Sequence, residues 1–370
     1  MKPPRLSAKR RAGRWEETVN GPEVTIGNRA VGPGHPVYVV AELSANHSHD
    51  FDLAVRIIEA ASEAGADAVK LQTYTPDTIT IPCDNDYFRI GKGTIWEGRT
   101  LYDLYEEAQM PWEWQPKLKK VAEDVGIDLF STAFDATSVD FLEKMGVPVH
   151  KVASFEIVDI PLIEKIAGTG KPMILSTGMA SLEEIGEAVE AARSAGAEQI
   201  VLLKCTSAYP APPEEMNLLT IPRLAETFSL PVGLSDHTLG TSVPVAAVAL
   251  GACLVEKHFT LSRSRPSPDS AFSLEPGELR EMIDNIRNVE KARGKVRLGA
   301  DEHEKASLVF RRSLFAVEDI KKGELLSERN VRSIRPGYGL PPKHYREILG
   351  RKAATDIARG TPLDWPLIED

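Results

Sequence analysis

The sequence predicts an α/β protein, a (β/α)8 barrel of the TIM type followed by a small C-terminal domain. Eight short apolar runs, each followed by a polar turn and commonly by an amphipathic helix, fill about 260 residues, which fits a closed barrel better than an open doubly wound sheet. After Arg297 this alternation stops, and short strand-like segments punctuated by Gly and Pro follow. The predicted barrel strands are 37–41, 68–72, 128–131, 150–152, 173–176, 200–204, 232–234 and 254–258.

Helical patterns connect these runs. The Ala/Val-rich stretch 242–250 is long enough for a buried helix between the last two strands. The stretch 73–111 is too long for an ordinary connection and carries Tyr87, Trp96 and Tyr102, so we expect it to shape access to a site at the barrel rim. The other predicted helices include 52–64, 114–125, 138–144, 182–195 and 276–292.

Changes in composition divide the chain into four parts. We expect residues 1–30 to form a flexible N-terminal tail and entry segment, 31–297 the barrel, 298–310 a polar linker and 311–370 the C-terminal domain. A unit of about 60 residues folds alone only marginally, so this last domain is expected to lean on a barrel or on another subunit.

Composition describes a soluble globular protein, with 42% hydrophobic and 26% charged residues in a chain of 370. The net charge of −10 argues against nucleic acid or an anionic membrane as the main partner, so an anionic substrate would need a local basic pocket. Cys83, Cys205 and Cys253 form no CxxC pair, which fits a reducing cytoplasm better than a disulfide framework. No stretch approaches the roughly 20 apolar residues of a membrane span, and the basic start lacks the apolar segment of a signal peptide.

Two histidines end neighbouring apolar runs. His237 follows the run at 232–234, and His258 ends the run at 254–258. Because the carboxyl ends of parallel strands meet at one rim, we expect both imidazoles to lie there, where they could bind a divalent metal. Two nitrogen ligands with water suit Mn²⁺, although ligand type alone leaves Mg²⁺, Co²⁺ and Zn²⁺ open.

Polar side chains follow the carboxyl end of nearly every predicted strand. Lys70 and Lys151 emerge from apolar strands and need partner anions, and two lysines with hydroxyls nearby can hold a phosphate and a carboxylate together. Phosphoenolpyruvate carries both groups. A metal on the histidines can polarise an aldehyde oxygen, and Glu42 or Glu156 can move protons or orient water. The residues therefore predict an aldol-like condensation of an enol phosphate with an aldehyde.

Eight motifs, in order, resemble the sialic acid synthase family, whose members combine such a barrel with a C-terminal antifreeze-like (SAF) domain. The resemblance covers nearly the whole chain after the tail and implies a transferase that condenses phosphoenolpyruvate with an amino-sugar aldehyde to a nine-carbon nonulosonic acid and phosphate. The motifs are AELSANH from Ala41, DAVKLQTY from Asp67, KVASFE from Lys151, ILSTGM from Ile174, KCTSAYP from Lys204, GLSDHT from Gly233, EKHFT from Glu256 and RPGYG from Arg335.

Within the family, the segments LQTYTPDTIT, TLYDLYEEAQMPWEW and PDSAFSLEP are similar to those of pseudaminic acid synthases. This resemblance implies 2,4-diacetamido-2,4,6-trideoxy-altrose as the acceptor, in preference to N-acetylmannosamine. Ser207 stands where sialic acid synthases have Asn, which also weakens an N-acetylmannosamine assignment. The run SRSRPSP puts Arg and Pro before Asp269 where relatives tend to have Gly, so this loop departs from the family pattern.

The resemblance implies roles for individual residues. His237 and His258 match the family's Mn²⁺ ligands, which hold the acceptor aldehyde alongside water. The residues that match the phosphoenolpyruvate site are Lys70, Lys151, Ser154 and Ser176.

Further matches concern the reacting carbons and the sugar. Glu42 and Glu156 match carboxylates near those carbons, and Tyr209 and Asp269 match sugar-site positions. Arg335 matches an arginine that the SAF domain of one subunit inserts into the partner's barrel in a domain-swapped homodimer, where it contacts an N-acetyl group.

Other functions stay open. N-acetylneuraminate or legionaminate synthase would use the same chemistry on another sugar. A non-catalytic sugar- or phosphate-binding protein is a reading from a different class, but such a protein would be expected to lose a rim histidine or lysine, and this sequence retains them. Ice binding needs a flat, regular surface, whereas residues 311–370 are rich in charge.

Overall fold

The computed structural model describes residues 21–369 and divides after Gly294 into two compact units. Residues 1–20 of the predicted tail lie outside the described residues. The rest of that predicted tail contains an antiparallel hairpin of β1 (Val24–Ile26) and β2 (Arg29–Val31), whose apolar side chains are buried in the barrel core. The barrel unit therefore includes residues that composition alone assigned to the tail.

A closed barrel of eight parallel strands confirms the predicted fold class. The strands follow one another around the barrel in chain order, and the last pairs with the first. Each predicted strand is found within two residues of its expected ends. The strands are β3 (Tyr38–Glu42), β4 (Ala68–Thr73), β5 (Asp128–Ala133), β6 (His150–Val152), β7 (Met173–Ser176), β8 (Ile200–Cys205), β9 (Val232–Asp236) and β10 (Leu254–His258).

Helices cover the outside of the barrel, and several of them begin at a residue whose side chain caps the helix. The Asp50 carboxylate accepts a bond from the backbone N–H of Leu53 and caps the first helix, which ends at Gly65, where φ is +98°. The helices of the barrel unit are α1 (Phe51–Ala64), α2 (Pro76–Ile79), α3 (Leu101–Ala108), α4 (Gln115–Asp124), α5 (Ala136–Met145), α6 (Ile160–Ala167), α7 (Leu182–Ser194), α8 (Thr220–Phe228), α9 (Ser242–Ala249) and α10 (Pro276–Arg293).

The long stretch 73–111 is more structured than the sequence indicated, because α2 and α3 lie within it. Short 3-10 helices complete several loops. They are Ser44–His47, Trp112–Trp114, Ser154–Glu156, Pro213–Glu215, Ser270–Phe272, Lys305–Phe310, Pro342–His344 and Trp365–Leu367.

The C-terminal unit has a hydrophobic core of its own. Strands β11 (Ser313–Ala316) and β12 (Val331–Ile334) pair antiparallel, and α11 (Tyr345–Ile348) follows them. Eleven buried apolar residues, including Leu314 and Val331, form this core. In the range 21–369, we find no helix with the length and apolar character that crossing a bilayer requires.

Candidate active site

Alternation along β9 and β10 sets which side chains enter the barrel. Ser235 and Glu256 are cross-strand neighbours, and the Ser235 hydroxyl donates to the Glu256 carboxylate at 3.0 Å. His237 and His258 come two residues later on the same strand faces, because side chains repeat with a period of two. Both histidines and Glu256 are buried.

A buried lysine of β4 contacts side chains of three other strands inside the barrel. The Lys70 ammonium lies 3.1 Å from a carboxylate oxygen of Glu42 and 3.1 Å from one of Glu256, and it donates to the Thr132 hydroxyl at 3.2 Å. The Gln72 amide also donates to Glu42, at 3.4 Å. This cluster carries one cation between two carboxyl groups.

Burial and charge set the proton affinities in this cluster. Burial lowers the pKa of Lys70, but the Glu256 and Glu42 carboxylates outweigh burial and raise it above its usual value. Burial raises the pKa of Glu42 to about 7, against the lowering effect of Lys70 and with a contribution from Glu256. The pKa of Glu256 is lowered, because Lys70 and Lys151 outweigh the opposing effect of burial. Glu256 therefore holds the negative charge, and Glu42 can take up or release a proton near neutral pH.

A second buried lysine lies among hydroxyl and carbonyl oxygens. The Lys151 ammonium donates to the Ser176 hydroxyl and to the Val152 carbonyl, each at 2.7 Å. Burial lowers its pKa to about 8. The Ser154 hydroxyl accepts from the backbone N–H of Gly178 at 3.2 Å. A cation, two hydroxyls and one backbone N–H thus gather at the ends of β6 and β7, a set that suits an oxyanion.

The histidine pair lies at the ends of β9 and β10. The two ring centroids are 5.4 Å apart. Nδ1 of His237 lies 3.0 Å from the Thr206 carbonyl oxygen, so in the neutral form of this ring Nδ1 carries the proton and Nε2 keeps a lone pair. Burial lowers the pKa of His237, but Cys205 and the Thr206 carbonyl outweigh burial and raise it above its usual value. Burial and the neighbouring His237 hold the pKa of His258 well below its usual value, which favours the neutral ring.

These residues fit a divalent cation. A neutral imidazole is the ligand form of histidine, and a ring whose second nitrogen is held by a backbone carbonyl is the usual arrangement at metal sites. His258 Nδ1 is buried without a hydrogen-bond partner, which a ligand bound to this ring would resolve. Across residues 21–369, no group of three or more His, Cys, Asp or Glu side chains is arranged as a complete metal site. An ion bound here would complete its coordination shell with water and substrate oxygens.

Comparison with known families decides the family assignment. The NeuB family matches residues 57–297, and the SAF domain matches residues 311–369. The chain belongs to the NeuB family.

Individual relatives span most of this NeuB family chain. It is 47% identical to the pseudaminic acid synthase of Campylobacter jejuni (strain 81-176), with 88% of this chain and 95% of that protein aligned. It is 36% identical to the N,N'-diacetyllegionaminic acid synthase of Legionella pneumophila, over 90% of this chain and 94% of that one. The crystal structure of the Bacillus subtilis spore coat polysaccharide biosynthesis protein SpsE matches at a TM-score of 0.65 with 35% identity, over 94% of this chain and 99% of that chain.

Aromatic rings surround the histidines of this NeuB protein. Tyr209 lies 4.2 Å from His237 between ring centroids, and Phe272 lies 4.9 Å from His258. The buried Asp269 carboxylate accepts from the Ser44 hydroxyl and, at 3.3 Å, from the Ala45 backbone N–H. The predicted sugar-site position at Tyr209 thus lies against the histidine pair.

Two of the predicted site residues, Glu156 and Arg335, are not part of the clusters described above. Glu156 lies in the turn after β6, where burial raises its pKa to about 7 and one carboxylate oxygen, Oε2, is buried without a partner. Arg335 belongs to the C-terminal unit, where it directly follows β12 and is exposed. Its role across a dimer stays a prediction.

The predicted site omitted Glu256, Phe272 and, as a site residue, Trp96. Glu256 precedes His258 by two residues in the same strand, so alternation along β10 was a signal for it. Phe272 and Trp96 lie in loops, where side-chain direction has no period. The Trp96 indole N–H donates to the Pro268 carbonyl at 3.3 Å, and its ring lies 5.6 Å from Tyr209.

Proposed function

We propose that this protein is a pseudaminic acid synthase, which condenses phosphoenolpyruvate with 2,4-diacetamido-2,4,6-trideoxy-altrose to a nine-carbon nonulosonic acid and phosphate. One observation carries the proposal. Inside a NeuB-family barrel, two buried lysines, Lys70 and Lys151, share the strand ends with a buried pair of imidazoles, His237 and His258. Cations for an anionic donor and a metal site for an aldehyde are the two requirements of this condensation.

The donor would lie over the ends of β4, β6 and β7. Lys151, Ser154 and Ser176 supply an ammonium group, hydroxyls and a nearby backbone N–H, which suit the phosphate. Lys70 supplies a second cation, which suits the carboxylate. Because Lys70 is already paired with Glu42 and Glu256, it is held in place before the donor arrives.

His237 and His258 would hold a divalent ion, which we propose to be Mn²⁺. When bound, the ion supplies Lewis-acid polarisation of the acceptor's aldehyde oxygen. The Thr206 carbonyl keeps the His237 ring in the tautomer that presents Nε2 as a ligand. Tyr209 and Phe272 cover these rings and limit the access of bulk water to them.

The reaction forms one carbon–carbon bond and one bond between C2 and the oxygen of water, and it breaks the bond between C2 and the phosphate oxygen. C3 of phosphoenolpyruvate attacks the aldehyde carbon, water adds to C2, and phosphate leaves from the resulting tetrahedral intermediate with cleavage of its bond to C2. The attacking water releases one proton, which balances the proton that the former aldehyde oxygen gains. The C2 hydroxyl releases the second proton when the keto group forms, and the departing phosphate takes up this proton. Glu42 and Glu156, each with a pKa of about 7, can exchange these protons near neutral pH.

Two observations support the diacetamido acceptor. The resemblance implies that Ser207, close in sequence to the predicted sugar-site position Tyr209, stands where sialic acid synthases have Asn, and identity to the pseudaminic acid synthase exceeds that to the legionaminic acid synthase. N-acetylneuraminate or legionaminate synthase remains the second candidate, because the donor and metal residues are expected to serve either sugar.

An acceptor panel tests the proposed function. The purified protein is incubated with phosphoenolpyruvate, Mn²⁺ and each candidate sugar, with mass detection of the nine-carbon product. We expect product and phosphate only with the diacetamido-trideoxy-altrose. Turnover of N-acetylmannosamine or of the legionaminate precursor alone would favour the second candidate, and absence of phosphate release with every sugar would favour a binding protein.

We also propose that the protein acts in the cytoplasm as a domain-swapped homodimer. In this arrangement, Arg335 of one subunit would reach the acceptor's N-acetyl group in the other subunit's barrel. Its exposure directly after β12 leaves it accessible to such a partner.

A further inference from the structure

A fully buried ion pair lies beside the two histidines. The Lys257 ammonium is 2.5 Å from an oxygen of Asp236, and both side chains have no exposed surface. Asp236 directly precedes His237, and Lys257 directly precedes His258. Each charged residue therefore occupies the position immediately before a proposed metal ligand.

Strand register makes this pair a direct link between the two strands. Lys257 and Asp236 are cross-strand partners in the β9–β10 ladder. Ser235 and Glu256, which precede Asp236 and Lys257 by one residue each, bond to each other inside the barrel. Because successive side chains of a strand point to opposite faces, Asp236 and Lys257 point to the outside of the barrel wall. The histidines that follow them turn back to the inside.

Additional bonds close the pair into a small network. Thr238 donates its backbone N–H to Asp236 at 3.2 Å and its hydroxyl at 3.0 Å, and Lys257 donates to the Thr238 carbonyl. These contacts fix the backbone on both sides of His237. Packing does not require charges here, because apolar side chains of similar volume fill a buried space without the desolvation cost of two ions.

We propose that Asp236 and Lys257 are positioning residues, which set the spacing of His237 and His258 for a divalent cation. The inference rests on the proposed function, in which these histidines hold the ion. A ligand pair placed at the ends of two separate strands keeps its geometry only if those ends cannot shift, and a directional, charge-assisted cross-strand bond restrains them more than apolar contact does.

The test measures binding of Mn²⁺ alone to the full chain, from the electron paramagnetic resonance signal of the free ion. Lys257→Met leaves Asp236 buried and unpaired. The double variant Asp236→Asn/Lys257→Met removes both charges and retains an amide that can bond to Thr238, so its fold should persist. Val189→Ala, a buried position in α7, is the control for general destabilisation.

We expect the double variant to unfold near the wild-type temperature and to bind Mn²⁺ about 10- to 100-fold more weakly, a loss of the size seen when a group that orients a metal ligand is removed. Val189→Ala should lower the unfolding temperature and leave Mn²⁺ affinity unchanged. A double variant that binds within twofold of wild type, or one that fails to fold, would overturn the positioning role.

His258→Ala separates this inference from the proposed function. If His258→Ala abolishes Mn²⁺ binding while the double variant retains it, the metal site stands and only the role of the ion pair is refuted. If the wild-type protein itself binds no Mn²⁺, the metal site and the positioning role fail together.

Discussion

Two buried lysines illustrate how neighbours assign different tasks to one residue type. Lys70 is shared between two carboxyl groups, and its pKa rises, so it stays charged over any working pH. The bonds described for Lys151 go to neutral oxygens, and its pKa falls to about 8. The charge of Lys151 is therefore the less compensated one before substrate binds, and we expect it to attract the donor's phosphate.

The pH dependence of donor capture tests this assignment. The Lys151 ammonium is protonated below a pH of about 8 and neutral above it. We therefore expect kcat/KM for phosphoenolpyruvate to fall as pH rises through about 8, by about tenfold per pH unit, because this parameter reports the free enzyme. The arginine of Lys151→Arg keeps its charge to much higher pH, so the fall in kcat/KM above a pH of about 8, the alkaline limb of the profile, should disappear in this variant. Lys171→Arg, at a lysine that pairs with Glu143, is the control and should keep it; an identical limb in all three proteins would refute the role of Lys151.

At the scale of elements, the barrel strands were predictable and the segments between them were less so. Strands buried on both faces are continuous apolar runs, and each ends at polar residues, so their positions were readable. The same continuity hides which face points inward, except where a known inward residue sets the phase, as His258 does for Glu256 in β10. The hairpin of β1 and β2 was missed because its strands of three residues carry no measurable period and lie outside the strand–helix alternation, which located the equally short β6. Contacts of Trp96 join residues 172 positions apart, which no local pattern encodes.

The stretch 73–111 gives an element-scale prediction. Trp96 ties this stretch to the rim through Pro268 and packs near Tyr209. Removing its ring in Trp96→Ala should raise KM for the sugar about 2- to 10-fold, the usual worth of one aromatic contact, and leave KM for phosphoenolpyruvate unchanged. Tyr87→Ala, in the same stretch but 90% exposed, is the matched control. Equal effects of the two variants, or an effect of Trp96→Ala on both substrates, would contradict an acceptor role for this stretch.

At the scale of the whole molecule, the residues of the proposed site are distributed over two units, each with its own hydrophobic core. The barrel carries ten of the eleven predicted site residues, and the C-terminal unit carries Arg335. The existence of this unit was predictable from the break in alternation after Arg297. The hydrophobic core of this unit was not predictable, because its short segments pair with segments that are distant in the sequence. The sequence also implied, through resemblance alone, that the unit acts on another subunit's barrel.

Mixed dimers test that implication. We expect Arg335→Ala and His258→Ala homodimers to be inactive, because the first lacks the N-acetyl contact and the second lacks a metal ligand. Mixing the two variants should restore about a quarter of wild-type activity per subunit, since in a random mixture about half of the dimers contain one complete site. Two variants in the barrel, His237→Ala and His258→Ala, are the matched control and should not complement. No recovery in the first mixture would place Arg335 in the barrel of its own chain or outside the site.

The central claim is that the two imidazoles hold a divalent ion opposite cations that grip the donor. Anomalous diffraction at the manganese edge, from crystals of the protein with Mn²⁺ and phosphoenolpyruvate, tests it most directly. We expect one strong peak within about 2.3 Å of a ring nitrogen of both His237 and His258, a distance typical of metal–imidazole bonds, with the donor's phosphate against Lys151 and Ser176. A manganese peak away from both histidines, or a phosphate bound away from both lysines, would contradict the account.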